Sequence, residues 1–478
     1  MKHFDVVVAG GGPAGAAAAI AAARNGSRTL LIEKEGYLGG MATGASVPAF
    51  CPFTDGETTL IGGIGMEILE ALKKISYESP FYDRKPDRIE GTDWLPIDPE
   101  ALKLVLDRMV ADSGCQLLLH AVVTGCETEE CGEEAACEDE AAREGAAACG
   151  GSGRRRVKNL SVFHKGGMEQ IGADFFIDCT GDADVIAMAG GAFTYGDENG
   201  GVQAGTLCFR IGNFDTDRFM RYARETGENG NLRIASERAR KDGRFPEGEE
   251  KVAGIALIAK NMASLNFGHV YGMNPLDGWD LTRAEVEARR KLPELMAFLR
   301  EYVPGAEHAV LASSGPNMGI RESRRILGEY CLTAEDYASR ADFADSIAYY
   351  AYPIDMHAAR MEERAQMEDT YKTSKYRRGE AYGIPYRCLL PKNLENVLAA
   401  GRTISADRAM QASVRVMPPC FATGQAAGTA AALCVKEKTE LRRMKVQRLR
   451  DTLEEQGACL RRNPGGPADL QSDEGKRI

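Results

Sequence analysis

The hydrophobic pattern opens with a short β-branched run, Phe4 to Ala9, that ends in three glycines. Such a run predicts a buried strand closed by a turn. Pro13 to Asn25 is filled with alanines and stops at Gly26, where a helix C-terminus favours a left-handed residue, so it predicts a helix. Thr29 to Glu33 predicts a second apolar strand, which completes a β-α-β unit with parallel strands and a right-handed crossover. Ile64 to Ile75 sets Ile64, Ile68, Leu69, Leu72 and Ile75 near one helical face. Asp98-Pro99 pairs an N-cap acceptor with a first-turn proline. The helix it opens carries Leu102, Val105, Leu106, Met109 and Val110 inward and stops at Gly114, and Gln116 to Val123 predicts the next strand.

Residues 126 to 156 break this pattern. They are rich in Glu, Ala, Cys and Gly and close on Arg154-Arg155-Arg156, a composition that predicts an exposed insertion with a solvated basic end. Strands resume over Val157–Phe163 and Asp174–Cys179. From about residue 190 to 379 charge, aromatics and long helical stretches such as Leu281–Tyr302 dominate, which suggests a second unit. Asn396–Gly401 predicts a short strand, Pro419–Val435 a small-residue helix and Leu441–Gly457 a charged amphipathic one, followed by a frayed tail. The expected fold class is α/β. A Rossmann-like domain with a parallel sheet occupies 1–125, 157–190 and 380–440. It is interrupted by an acidic low-complexity insertion at 126–156 and by an α+β substrate or cap domain at 191–379. A C-terminal helix and tail occupy 441–478.

The length, 478 residues, suits two or three domains, and 44 % hydrophobic with 27 % charged residues is ordinary for a soluble protein. The net charge of −11 disfavours nucleic-acid binding. No stretch reaches the roughly 18–20 apolar residues of a membrane span, and the first apolar run is too short for a signal peptide. A cytoplasmic location is expected. The 13 cysteines then read as reduced thiols. Cys126, Cys131, Cys137 and Cys149 follow no cluster or zinc spacing, so no metal is expected.

Chemistry enters with Gly10-Gly11-Gly12-Pro13-Ala14-Gly15, which fits G-x-G-x-x-G. Gly10 would make the tight turn, Gly12 would admit a pyrophosphate, and Gly15 would let helix and strand pack closely. Pro13 and Ala14 open the helix whose N-terminus faces the phosphates. Glu33 ends the following strand, where a carboxylate can accept from both ribose hydroxyls. The glycine-rich loop after it supplies Lys34, Gly39, Gly40, Met41 and Thr43 as contacts for a flat ring system. Val123, at the end of its strand, is grouped with these cofactor residues.

Two further segments bear on the cofactor. Ile177 to Asp184 is a strand ending in Thr180-Gly181-Asp182, and Val397 to Arg402 ends in Gly401-Arg402 before the helix that holds Gly424. Together these segments resemble the FAD-dependent oxidoreductases of the glutathione-reductase-like superfold. The likeness is distant to fumarate reductase flavoproteins and to the flavin domain of heterodisulfide reductase A subunits. It implies FAD as cofactor, with contacts at Thr180, Gly181, Asp182, Gly401, Arg402 and Gly424. The loop after Glu33 has no histidine, so a non-covalent flavin is expected. Cluster-binding cysteine runs and a second G-x-G-x-x-G are absent from the sequence, so an external electron donor or acceptor is expected.

The expected activity is hydride transfer between FAD and a small organic substrate, carboxylate or hydroxylated. Arg321, Arg324 and His357 are the candidate catalytic residues, the arginines for an anionic substrate and the histidine for a proton. Salt bridges to Glu322 or Glu329 would explain the arginines equally well. An NAD-dependent dehydrogenase, a folate- or tRNA-linked flavoprotein and a non-catalytic electron-transfer subunit are the alternatives.

Overall fold

The computed structural model describes residues 1–76, 94–131, 153–249, 251–363 and 376–460. Its first unit begins with β1 (Lys2–Ala9), α1 (Pro13–Arg24) and β2 (Thr29–Ile32). Two further helices, α2 (Gly63–Ile75) and α3 (Pro99–Asp112), lead to β3 (Gln116–Leu118). Asp98 caps α3 as its sequence suggests, its side chain accepting from the backbone N–H groups of Glu100 and Ala101.

A meander follows: β4 (Val122–Cys131), β5 (Arg154–His164) and β6 (Gly167–Asp178). These strands form one sheet in the order β3-β2-β1-β6-β5-β4, parallel from β3 to β6 and antiparallel across the meander.

The second unit is built on β7 (Phe209–Gly212), β8 (Gly254–Ala259) and β9 (Met262–Asn266), with the 25-residue α4 (Gly278–Tyr302) and β10 (Val310–Ser314). Its four-stranded antiparallel sheet runs β8-β9-β7-β10. Its own core joins Phe209, Phe214, Phe267 and Phe298, the last two edge to face with ring centres 5.7 Å apart. Residues 332–390, which sequence texture grouped mostly with this unit, instead supply Tyr337, Tyr350, Tyr382 and Tyr386 to the core around α1.

The chain then returns to the first sheet through β11 (Val397–Ala399), parallel to the end of β6. The helices α5 (Arg408–Val414), α6 (Met417–Glu437) and α7 (Val446–Glu455) close the chain. One edge of β6 therefore serves β5 with its first half and β11 with its second. Asn396, fully buried, stitches the fork: its amide donates to the carbonyls of Val157 and Asp174 and accepts from the N–H of Val157.

Three expectations need correction. The strand expected over Gln116–Val123 is two strands. The chain leaves the parallel sheet at His120, whose φ of 54° is left-handed, so Val123 belongs to the meander. The insertion is narrower than 126–156, because Cys126–Cys131 and Arg154–Arg156 are paired strand residues. Glu129 is in register with Arg156 and Glu130 with Arg155, and Lys158 bridges Glu127 at 3.8 Å and Glu129 at 4.0 Å across the ladder. Arg154 bridges Glu395 at 3.1 Å and is not a solvated loop end. Cys137 and Cys149 lie outside the described residues, as does the tail beyond 460. Finally, Leu441–Gly457 is a short 3₁₀ turn, Leu441–Arg443, followed by α7. Among the described residues no helix is long and apolar enough to cross a membrane.

Candidate active site

The parallel strands β1, β6 and β11 end together, and the three turns that follow them converge on one cavity of 790 Å³. That volume lies within the roughly 300–1,000 Å³ usual for ligand sites. Gly10, Gly12, Pro13 and Ala14 contribute from the first turn, Thr180, Gly181 and Asp182 from the second, Gly401 and Arg402 from the third. Glu33, Lys34, Gly40 and Met41 line it from the loop after β2.

The glycines of the first turn divide by cause. Gly10 has φ 95°, and a Cβ there would lie 2.4 Å from the Cys179 carbonyl oxygen. A Cβ on Gly15 would lie 1.7 Å from the oxygen of Gly10. The protein's own packing requires both glycines, and Gly15 does not reach the cavity. At Gly12 a Cβ would meet only the Cα of Gly40, at 3.9 Å. The chain leaves that space open on the cavity side, where a pyrophosphate would need it. Among the described residues no side chain caps the N-terminus of α1, nor that of α6, whose N-cap Val416 and residues Met417 and Cys420 line the far part of the same cavity. Both ends direct positive dipole into it. The Nε atoms of Arg402 and Arg415, both lining residues, are buried and find no hydrogen-bond partner among the described residues. An anionic dinucleotide fits these features: an open glycine cradle, uncapped helix ends and unsatisfied cationic donors.

Glu33 is buried, and burial raises its pKa against hydrogen bonds from Glu35 and Gly11. Its Oε2 accepts from Gly11 N–H at 2.5 Å and its Oε1 from Glu35 N–H at 2.8 Å. The carboxylate thus fastens the glycine turn to the end of β2. Gly39 and Thr43 shape the loop without lining the cavity: Gly39 N–H donates to the Gly11 carbonyl, and the Thr43 hydroxyl to the Leu38 carbonyl. Gly424 also stands off the cavity, packed on α1. Val123 is remote from it, paired with Val162 in the meander.

In the second turn Asp178 accepts from the N–H and hydroxyl of Thr180 and from Ile186 N–H, and burial pushes its pKa up to about 6. Asp182 meets Arg402 at 2.9 Å and accepts from the Ser323 hydroxyl at 2.6 Å. These contacts outweigh its burial and lower its pKa.

Arg324 holds the same turn from outside. Its Nη1 donates to the Asp182 carbonyl and to the Asp184 carboxylate, both at 2.9 Å, and its guanidinium lies over the Phe193 ring. It does not line the cavity, so the expectation that it faces substrate is corrected. The alternative salt bridges do not form either: Glu322 pairs with Arg325 and Arg408, and Glu329 with Arg442.

Arg321 and His357 do line the cavity, at the end bordered by the second unit. Arg321 is buried and donates through Nη1 to the Ala204 carbonyl at 2.5 Å and the Thr206 hydroxyl at 3.0 Å. Burial and the nearby Arg415 lower its pKa to about 10, which leaves it charged. His357 Nε2 stands 3.5 Å from Asp355 Oδ1, and burial together with Arg321 pushes its pKa to about 3, so the ring is neutral at pH 7. Asp355 is also bridged by Arg415 at 3.2 Å; although burial opposes it, His357, Arg415 and Arg321 hold its carboxyl well below the usual range. Arg321 and Arg415 thus both act on the single carboxylate of Asp355. Burial keeps the thiols of Cys51 and Cys420 protonated, each with a pKa near 12, which removes them as nucleophiles.

Sequence reading missed Asp355, Tyr271, Tyr352 and the pair His269–Glu249. The available signal was scarcity: the chain has six histidines, and two of them, His269 and His357, meet ring to ring on this cavity at 5.4 Å.

A family model described as FAD dependent oxidoreductase matches residues 5–453. No curated protein sequence matches the chain. Solved structures to which the chain is similar include a geranylgeranyl bacteriochlorophyll reductase-like protein of Thermoplasma acidophilum. It is 12 % identical, with 96 % of this chain and 85 % of that one covered and a TM-score of 0.42. The p-nitrophenol 4-monooxygenase of Pseudomonas putida is 12 % identical over 92 % and 82 %, with a TM-score of 0.43. A myxobacterial chondrochloren halogenase is 13 % identical over 95 % and 79 %, with a TM-score of 0.45.

Proposed function

Because this chain belongs to the FAD-dependent oxidoreductase family, we propose that it binds FAD non-covalently along the 790 Å³ cavity. There it oxidises or reduces a small anionic organic molecule held at Arg321 and His357. The observation that supports this most is continuity: one cavity runs from the Gly12 cradle to the Arg321–His357 wall. The chemistry that FAD supplies when bound is two-electron transfer at its ring, commonly as hydride.

The chain's own residues do the rest. Gly12, the N–H groups at the start of α1, and Arg402 take the phosphates. Glu33 takes the ribose and keeps the glycine turn in place. The N-terminus of α6 and Arg415 face the ring's developing negative charge. Arg321, fixed from behind by Ala204 and Thr206, binds a carboxylate. His357, neutral, turns Nε2 to Asp355 and keeps Nδ1 as an acceptor for the same molecule. The second unit excludes water from this end through Tyr271, Leu281 and Met318. With no second dinucleotide fingerprint in the sequence, electrons are exchanged with an external carrier, and no nucleic-acid or membrane partner is invoked.

The test is an absorbance spectrum of the purified chain, followed by anaerobic titration with small acids, hydroxy acids, sugars and amines. A flavin spectrum that one class of these compounds bleaches supports the reading. A colourless protein that takes up no added FAD overturns it.

A further inference from the structure

We propose that His269, oriented by Glu249, accepts the proton of a substrate hydroxyl, and that the substrate is therefore a small hydroxy acid. This deepens the reading above and rests on it.

His269 lines the cavity beside His357, and its own surroundings are built to fix one tautomer. Glu249, whose side chain has no solvent exposure, accepts from the His269 backbone N–H at 2.8 Å and stands 3.2 Å from Nδ1. A carboxylate oxygen only accepts, so Nδ1 carries the proton and the lone pair sits on Nε2. Lys291 braces both partners: it donates to the His269 carbonyl at 2.6 Å and lies 3.8 Å from Glu249. Among the described residues nothing hydrogen-bonds to Nε2. Burial, with Arg321 and Lys291 acting the same way, lowers the pKa of the ring, which keeps it neutral and receptive.

Burying a carboxylate out of reach of water is costly, and a histidine that merely filled space would not require one. His357 differs. Its contact to Asp355 is longer, 3.5 Å, and Arg415 takes that carboxylate at 3.2 Å and the Asp355 carbonyl at 2.8 Å. The two rings stack at 29°, so His357 supports the plane of His269.

The step balances for an acid bearing a hydroxyl on the carbon next to its carboxylate. The O–H bond breaks and its proton goes to Nε2 of His269. The C–H bond on the same carbon breaks and its hydride, with both electrons, passes to oxidised FAD. A C=O bond forms and a 2-oxo acid leaves. Glu249 faces the imidazolium so produced, and Arg321 holds the carboxylate throughout.

The experiment uses the FAD-loaded full chain. Histidine ¹⁵N NMR at neutral pH, assigned with the His269→Asn variant, should show His269 protonated on Nδ1; protonation on Nε2 overturns the proposal without any substrate. Anaerobic mixing with lactate, glycolate or malate should bleach the flavin. In His269→Asn that rate should fall about 100-fold or more, and in Glu249→Gln about tenfold. Oxalate, a carboxylate that cannot be oxidised this way, should still perturb the flavin spectrum of both variants with a Kd within about threefold of the parent. An unchanged bleaching rate in His269→Asn overturns the proposal. Bleaching by amines or saturated acids but by no hydroxy acid also overturns it and leaves the flavin-enzyme reading standing, whereas absence of FAD defeats that reading itself.

Discussion

Gly424 of α6 lies directly on the main chain of Ala14 in α1: a Cβ on Gly424 would fall 2.1 Å from the Ala14 oxygen. One turn on, Gly428 stands at the same distance from the oxygen of Ala18. Two helices distant in sequence therefore touch backbone to backbone, and their uncapped N-termini open on the same cavity. Gly424→Ala should separate them, because the obstacle is backbone and cannot swing aside. Overpacking of this kind costs about 1–3 kcal/mol, so the melting temperature should drop and bound FAD should be lost with it. Differential scanning fluorimetry and the flavin-to-protein absorbance ratio measure both.

Gly12 and Gly15 should separate folding from binding. Among the described residues beyond its chain neighbours, a Cβ at Gly12 comes no closer than 3.9 Å to any atom, so Gly12→Ala should fold with a near-parental melting temperature and lose FAD affinity. Gly15→Ala, with its Cβ 1.7 Å from the Gly10 oxygen, should fold poorly or not at all. Equal FAD content in Gly12→Ala and the parent would show that the space at Gly12 does not hold a phosphate.

Glu33→Ala tests a residue with two tasks. It removes the ribose acceptor, and it also frees the N–H groups of Gly11 and Glu35. It should strip FAD and cost about 1–3 kcal/mol as well, because a buried donor loses its partner. The two losses are read by flavin content and by urea denaturation. Flavin retained at parental occupancy would count against the ribose assignment.

Arg321 and Arg324 should behave oppositely. Arg321→Leu should weaken oxalate binding by about 10–100-fold, the range for a hydrogen bond to a charged group, with a smaller effect on FAD. Arg324→Leu should leave oxalate binding nearly unchanged and lower stability, because it releases Asp184 and the Asp182 carbonyl. Spectral titration and thermal melts of the two variants distinguish the roles.

His357 predicts an acid-side loss of stability. Its folded pKa is about 3 against an ordinary value of 6.5. Between those values the unfolded chain binds a proton that the folded chain does not, so stability rises with pH through this window and is lost on acidification below about 6.5. One such group contributes at most about 1.4 kcal/mol per pH unit. His269, also lowered, acts in the same direction. His357→Asn should flatten the dependence of unfolding free energy on pH between 5 and 6.5, and an unchanged slope would show that the ring is not held neutral.

Local order was legible in the sequence wherever one element settled its own chemistry. The first strand, the alanine helix and the glycine turn that joins them are short-range facts. Steric limits at Gly10 and Gly15 and the run of small residues act within a few positions. Asp98 capping its own helix is of the same kind, and so is Glu33 at the end of β2. The dinucleotide fingerprint could be read because its parts lie close together in the chain; FAD in particular followed only from the resemblance that the Thr180–Asp182 and Gly401–Arg402 segments complete. The end of the strand over Gln116–Val123 could not, because the left-handed turn at His120 is held by the carbonyls of Glu33 and Glu35, not by its own neighbours.

The substrate end belongs to the tertiary structure alone. Arg321, His357 and His269 come from separate segments, and nothing in their neighbours distinguishes them from Arg324, which points outward to Asp184. What separates the two arginines is which carboxylate or carbonyl the fold brings within 3 Å, and the same holds for Glu249 beneath His269. Propensity and motif act along the chain; burial and charge pairing act across space, and only the assembled packing of both units decides them.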